Sequence, residues 1–303
     1  MRHQVIGGGL IVATLLGVTA AATVAQDAKV TEILAATRKA IGDKKLDTLK
    51  TFSVQASTQR NFGNFQSQAE VEMLLEMPDK YVRSETSSSM MNMTLSTGFN
   101  GDRAIMPAGV RALPGGGMVI SMGPGAAAHT PPAEKPTPEQ LEQMNASSLR
   151  NYRHEVSRLM LGWFATAHPT IKAHYAYVGE AESPDGRAHV IDVKDEDGFA
   201  ARLFIDQNSK LPLMVTYQGR QRQVVTSSAG GPGTPRMTSA ASVDPGQVPM
   251  VEYSLFFDDW REVDGVNFPH VIRRASKGAT EEEWAISKVK VNPKLDAKKF
   301  EIK

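Results

Sequence analysis

Gln68-Ala69-Glu70-Val71-Glu72-Met73-Leu74-Leu75-Glu76 alternates with a period of two. Ala69, Val71, Met73 and Leu75 fall on one side, and Gln68, Glu70, Glu72 and Glu76 on the other. Side chains of a strand point alternately to opposite faces, so this pattern describes a half-buried strand with one wet face. Such one-sided strands belong to antiparallel sheets, because parallel sheets are covered on both faces. Pro78 ends the segment.

The same reading extends outward from this strand. Phe52 to Arg60 precedes it, with Gly63 in the turn between, and Tyr81 to Ser87 and Met91 to Thr97 follow, before the turn signal Asn100-Gly101. After residue 171 the strands return at Ala173–Gly179, Ala188–Lys194, Ala200–Asp206, Leu213–Gln218, Val251–Trp260, Phe268–Ser276 and Glu282–Val291. Pro184-Asp185-Gly186, Asp195 to Gly198, Asn208-Ser209 and Asp264-Gly265 punctuate them. Many short strands at regular spacing predict an antiparallel sheet that curls on itself.

Two helices interrupt the strands. Val30, Ile33, Leu34, Thr37 and Ile41 recur at helical spacing over residues 28–41, with Asp27 as a candidate N-cap and Gly42 as a stop. Thr137-Pro138-Glu139-Gln140 is a capping box with proline at the first helical position, and it opens a helix over residues 138–165. Leu141, Met144, Leu149, Tyr152, Val156, Leu159, Trp163 and Phe164 mark its apolar face, and Arg150, Arg153 and Arg158 lie largely off that face. A curled sheet needs its apolar face covered, and these helices are the elements available to do so. Residues 107–136 and 226–250 are rich in Gly, Pro and Ser and read as long loops; Met118 to Met122 forms an apolar island in the first of them.

The N-terminus sets the compartment. Arg2 and His3 precede an apolar run from Val5 to Val18, then small residues to Ala25 and the polar Gln26-Asp27, in the order of a secretory signal cut after Ala25. A cut after Ala22 and an uncleaved anchor are the alternatives, the anchor needing about 20 apolar residues. Residues 26–303 then form one domain, without internal repeat or shift of composition. There is no cysteine, which excludes disulfides, thiolate chemistry and a lipidated cysteine. With Arg2 removed, the formal charge of +1 falls to zero, so no long-range attraction draws the protein to nucleic acid or anionic membrane. The reading is of an exported or periplasmic protein with no stable membrane insertion.

Catalytic patterns are missing. His154-Glu155 begins like a zinc-protease helix, but Arg158 stands where the second histidine belongs. His168, His174 and His189 could meet on neighbouring strands, although scattered histidines are the commoner case. Asp195, Asp197 and Gly198 suit a hairpin turn better than a calcium loop. Asp258-Asp259 and Glu281 to Glu283 read as solvated strand ends. No metal, cofactor or enzymatic activity is expected.

Methionine occurs 14 times, with clusters at Met90, Met91 and Met93 and at Met118 and Met122. Its flexible thioether suits surfaces that adapt to apolar ligands. The C-terminal third carries Phe204-Ile205-Asp206, Leu211-Pro212, Asp258-Asp259-Trp260-Arg261, Val263 to Pro269, Val289 to Pro293 and Phe300-Glu301. With Ile33-Leu34, Ile41-Gly42, Leu46 to Leu49 and Phe99-Asn100-Gly101, this resembles the periplasmic, outer-membrane lipoprotein-sorting, LolA-like family. The resemblance implies an α+β, mainly antiparallel fold: a strongly curved, half-open, barrel-like sheet with helices as a lid over an apolar cavity. It also implies a soluble carrier or chaperone for a lipid or lipoprotein acyl chain, with a possible envelope protein partner. Expected lining residues are Met73, Leu75, Met91, Met93, Leu95, Leu159 and Trp163. The rival is a sensor or protein-interaction domain on the same fold with a filled core.

Overall fold

The computed structural model describes residues 16–62, 65–87, 93–106, 110–112, 118–120, 137–183, 186–221 and 248–301. In chain order, helix α1 (Leu16–Ile41) is followed by a 3-10 turn at Asp43–Thr48 and strands β1 (Thr51–Phe62), β2 (Phe65–Glu76), β3 (Lys80–Ser87), β4 (Met93–Asn100) and β5 (Arg103–Ile105). Two short strands, β6 (Val110–Ala112) and β7 (Met118–Ile120), pair with each other, and α2 (Pro138–Phe164) follows. The second half contributes β8 (His174–Ser183), β9 (Gly186–Lys194), β10 (Ala200–Asp206), β11 (Pro212–Arg220), β12 (Met250–Val263), β13 (Val266–Ser276) and β14 (Ala279–Val291), with a final 3-10 turn at Ala297–Phe300.

Twelve strands form one antiparallel sheet in the order β5-β4-β3-β2-β1-β14-β13-β12-β11-β10-β9-β8. Every neighbour except β1–β14 is also a neighbour in sequence, as expected of a meander closed only by its two halves meeting. The sheet is open, with β5 and β8 as its edges. It is also strongly curved. Helix α2 touches β4 and β5 near one edge and β10, β11 and β12 toward the other. In a flat sheet β4 and β11 would stand about 34 Å apart, seven strand spacings of ~4.8 Å. Yet Arg153 of α2 reaches Asp102 beside β4 while Arg158, little more than a turn on, lies over Tyr217 of β11. The two wings therefore fold inward around the helix.

Inward-facing residues of alternate strands make a single core with α2: Phe52, Val54 and Ala56 of β1, Val71, Met73 and Leu75 of β2, Phe257 of β12, Phe268 of β13, and Val156, Leu159, Met160 and Trp163 of the helix. Phe52, Trp163, Phe164 and Phe268 form an aromatic knot, with centroids 4.9 to 6.3 Å apart. Helix α1 contributes Ile33 and Ile41 and lies against β8 and β13. Leu74, which breaks the polar face of the opening strand, has its own partners on the outer face. It packs with Val82, Ile105 and Phe300, the last delivered by the C-terminal 3-10 turn.

The capping box at Thr137 is present as expected, with Gln140 N–H donating to Thr137 Oγ1 and Thr137 N–H to Gln140 Oε1. One expectation needs correction, and the structure adds detail to two others. Helix α1 begins at Leu16, so Asp27 lies inside it rather than capping it, and the helix runs unbroken past Ala25. Strand β5 follows the Asn100-Gly101 turn; at three residues it is too short to show a period. The island in the first long loop pairs at Met118–Ile120 with Val110–Ala112. Gly63, Met91 and most of residues 226–250 lie outside the described residues.

Candidate functional site

The inner face of the sheet changes character along its strands. The half holding Phe52, Met73 and Phe268 is apolar, whereas farther along the same inward phase β1 carries Arg60, β3 carries Arg83, β13 carries Arg274 and β14 carries Glu282 and Trp284. Register places these residues together: Arg60 and Arg274 both lie opposite Glu282, one from each side. Glu282, which the sequence reading placed at a solvated strand end, is 1% exposed. It shares the phase of Trp284 and Ile286, so the alternation of β14 turns it inward.

Glu282 is the hub of an ion-pair network. Its Oε1 accepts from Arg60 Nε at 2.8 Å and from Arg83 Nη2 at 3.3 Å, and its Oε2 pairs with Arg274 Nη2 at 2.8 Å. Arg60 Nη2 also donates to Glu85 at 2.7 Å, and Arg83 pairs with Glu85 and, at 2.8 Å, with Glu155 of α2. The Arg83 guanidinium lies 4.5 Å from the Trp284 ring centre. Burial works to raise the Glu85 carboxyl, but Arg83 and Arg60 outweigh it and hold it below its ordinary value. The same balance holds Arg83 and Arg60 above theirs: burial opposes the charge and the surrounding glutamates prevail. Each of these charges has a counter-charge within the network, although Arg83 Nε and Arg274 Nε have no hydrogen-bond partner of their own. What the network does is fasten the middle of α2 to the sheet through Glu155.

On the other flank of α2 the pairing is incomplete. Arg158 stacks on Tyr217, 4.1 Å from the ring centre, and lies 5.8 Å from that of Phe199. Tyr217 stacks in turn on Tyr253 at 5.4 Å, and Arg274 covers Tyr253 at 5.9 Å. A row of cations and aromatic rings therefore runs from α2 to the network. The expectation that Arg158 points off the packed face is corrected: the curled wing of the sheet reaches round to cover it. Burial lowers its affinity for a proton, with Tyr217 and then Glu155 acting the other way. One turn earlier, His154 meets the edge of Phe199 at 5.3 Å. Burial, and then Arg158, hold it below the ordinary histidine value.

The structure brings Met73, Leu75, Leu159 and Trp163 into one cluster. There they are packed solid, at 0, 1, 4 and 0% exposed. Leu95 is half-buried on β4 opposite Glu85, Met93 sits on the same strand opposite Ser87, and Met91 is outside the described residues. Two surface clefts lie elsewhere: one is lined by Asp47, Lys50 and Asn292, another by Val30, Leu34 and Tyr175 between α1 and β8. Neither includes Met73, Leu75, Leu159 or Trp163. The three histidines do not converge. His168 is buried against Phe99 beyond α2, with Nδ1 2.8 Å from Thr170 Oγ1; His174 is exposed on β8; His189 faces Glu180 on the adjoining strand. Among the described residues, no group of three His, Asp or Glu side chains could hold a metal ion. No described helix is long and apolar enough to cross a membrane.

Comparison with solved structures finds a LolA superfamily protein from Nitrosomonas europaea, 11% identical, covering 89% of this chain and 96% of that one with a TM-score of 0.49. An outer membrane lipoprotein-sorting protein domain from Vibrio parahaemolyticus is 9% identical, over 88% and 94% of the two chains, with a TM-score of 0.45. A DUF1329 family protein from Desulfovibrio piger is 10% identical, over 89% and 96%, with a TM-score of 0.46. No family model and no curated protein matches.

The residues carrying the sequence resemblance act as latches. Asn267 Nδ2 donates to Ala40 O at 2.8 Å, tying β13 to the last turn of α1. Asn292 Oδ1 accepts from Lys50 N–H at 2.7 Å while its Nδ2 donates to Thr48 O at 2.9 Å. Asn100 Nδ2 donates to Phe300 O at 3.2 Å. The ion-pair hub was missed because each of its residues reads as an ordinary surface charge. The signal was their phase, which matches that of the apolar residues before them.

Proposed function

We propose that this protein is a non-enzymatic interaction domain of the cell envelope, exported and free of cofactors, whose curved sheet is a filled scaffold and whose binding takes place at its surface. One observation carries this reading: α2 occupies the concave side of the sheet with its own side chains. Seven apolar residues of that helix are buried, Leu149, Val156, Leu159, Met160, Leu161, Trp163 and Phe164. At about 1.5–3 kcal/mol each, their burial contributes roughly 10–20 kcal/mol. A sixteen-carbon acyl chain that displaced them would return about 0.8 kcal/mol per methylene, or roughly 12 kcal/mol. The exchange at best breaks even, so the helix is the better occupant.

A second reading, a lipid or acyl-chain carrier, has one observation of its own. The middle of the apolar face is covered by α2, held along one side by the Arg83–Glu155 pair. If α2 swung away, carrying Leu159 and Trp163 with it, Met73 and Leu75 of the sheet would face the opened space, with Leu95 on the same face of β4.

Photo-crosslinking in cells separates the two. Replacement of the exposed Arg150 by p-benzoylphenylalanine puts a reactive group beside the α2 seam. The interaction reading expects a discrete adduct of protein mass. Adducts of lipid mass, or none, would contradict it.

A further inference from the structure

The unpaired flank of α2 offers more than packing. Arg158 has no hydrogen bond or ion pair with any described residue, although every other arginine drawn onto the inner face is paired. Its Nε is sealed from solvent and lacks a partner. A half-buried guanidinium without a counter-charge carries a cost that needs compensation. The ring of Tyr217 under it, 4.1 Å away, supplies part. Glu155, three residues earlier, acts on it only at a distance. His154 Nε2, one turn before and against the same Phe199 ring, is likewise buried without a partner. Two polar groups on one stripe of α2 are therefore unsatisfied where the helix meets β10 and β11, and both are hydrogen-bond donors when protonated appropriately.

We infer that Arg158 is the anchor for a carboxylate of a protein partner, an acidic side chain seated on the terminal guanidinium nitrogens with its apolar stem against Tyr217 and Phe199. A planar fork held flat by an aromatic ring is pre-organised for a bidentate carboxylate. The filled interior leaves an amphiphile nowhere to put its chain, which favours a peptide over a lipid head group. Asp195 and Asp197 bear on His154 from the β9–β10 turn, so the carboxylate is expected on the Tyr217 side of Arg158. This inference rests on the interaction reading above and names the chemistry of its partner.

The test titrates the exported chain with acetyl-Glu-Phe-Glu-amide and with acetyl-Gln-Phe-Gln-amide, following the Arg158 Nε–H resonance, and repeats both with Arg158→Gln. The expected result is at least tenfold tighter binding of the glutamate peptide, a saturating shift of the resonance, and loss of the difference in Arg158→Gln. Circular dichroism establishes that the variant folds; Arg158→Lys, which keeps the charge without the fork, should show a several-fold weaker preference and serves if it does not. Equal binding of the two peptides, binding of neither, or a response only to dodecyl phosphate would overturn the inference. If a protein crosslink at position 150 persists while Arg158→Gln changes nothing, this inference fails and the interaction reading stands.

Discussion

Gly162→Ala is the sharpest probe of how tightly α2 is seated. Gly162 lies in the last turn of the helix, facing β12, and the Phe257 ring rests directly on its backbone. A methyl added there would stand 1.9 Å from Phe257 Cζ and 2.2 Å from both Cε atoms. Real contacts between such carbons are about 3.5–4 Å. Phe257 is 1% exposed and Phe268 and Ile272 pack in the same core, so the ring has no vacant space to enter. On helix propensity alone the substitution should stabilise by about 1 kcal/mol. Overpacking of a filled core costs about 1–3 kcal/mol, and a clash this deep belongs at or beyond the upper end. The net expectation is destabilisation of about 2 kcal/mol, or a fall in Tm of roughly 3 °C for a chain of this size. Urea denaturation of both proteins measures it, and Gly162→Ala/Phe257→Leu should recover much of the loss. A Gly162→Ala protein as stable as the parent, or more stable, would refute the close seating of α2 against β12.

The buried hub makes a second prediction: Glu282→Gln leaves Arg60, Arg83 and Arg274 without their shared carboxylate, and breaking such a pair costs about 3–5 kcal/mol. Thermal unfolding within about 1 kcal/mol of the parent would show that the network contributes nothing. A third concerns acid. Burial, and then Arg153, push His168 down to about 4 in the folded protein, against an ordinary 6.5 when unfolded. The unfolded chain therefore takes up a proton first, so stability is full above pH 6.5, falls as pH drops toward 4, and levels off below. Between pH 7.5 and pH 5 this histidine accounts for about 2 kcal/mol of loss, with His154 and His189 acting in the same direction. His168→Asn, which preserves an acceptor near Thr170, should shrink that loss in paired urea titrations, and an unchanged pH profile would contradict the assignment.

The fold was legible where period and turn chemistry agreed. Ala200–Asp206 was read to the residue, and the long helix to within one, because proline, capping box and apolar stripe coincide at its start. The curl of the sheet followed from the number and spacing of strands. Side-chain environments read less well where tertiary contacts override local pattern. Arg158 looked like a solvated residue because its cover, Tyr217, arrives from nearly sixty positions away on a wing that folds back. Glu282 sits in a run of three glutamates, which reads as wet unless each is assigned a face. Met73, Leu75, Leu159 and Trp163 were read as lining a cavity and share one core cluster, but spacing alone does not say whether a space between elements is empty or filled. That depends on how closely α2 approaches, and Gly162 is the residue that sets the approach.

The central claim is that α2, and no ligand, occupies the concave face. Native mass spectrometry of the protein purified from its own compartment, with lipid extraction of the same sample and Trp163 fluorescence during fatty-acid titration, tests it most directly. The account predicts the mass of the bare chain, no stoichiometric lipid, and emission that does not respond. One lipid per chain, released on unfolding and restored with a change in Trp163 emission, would contradict it.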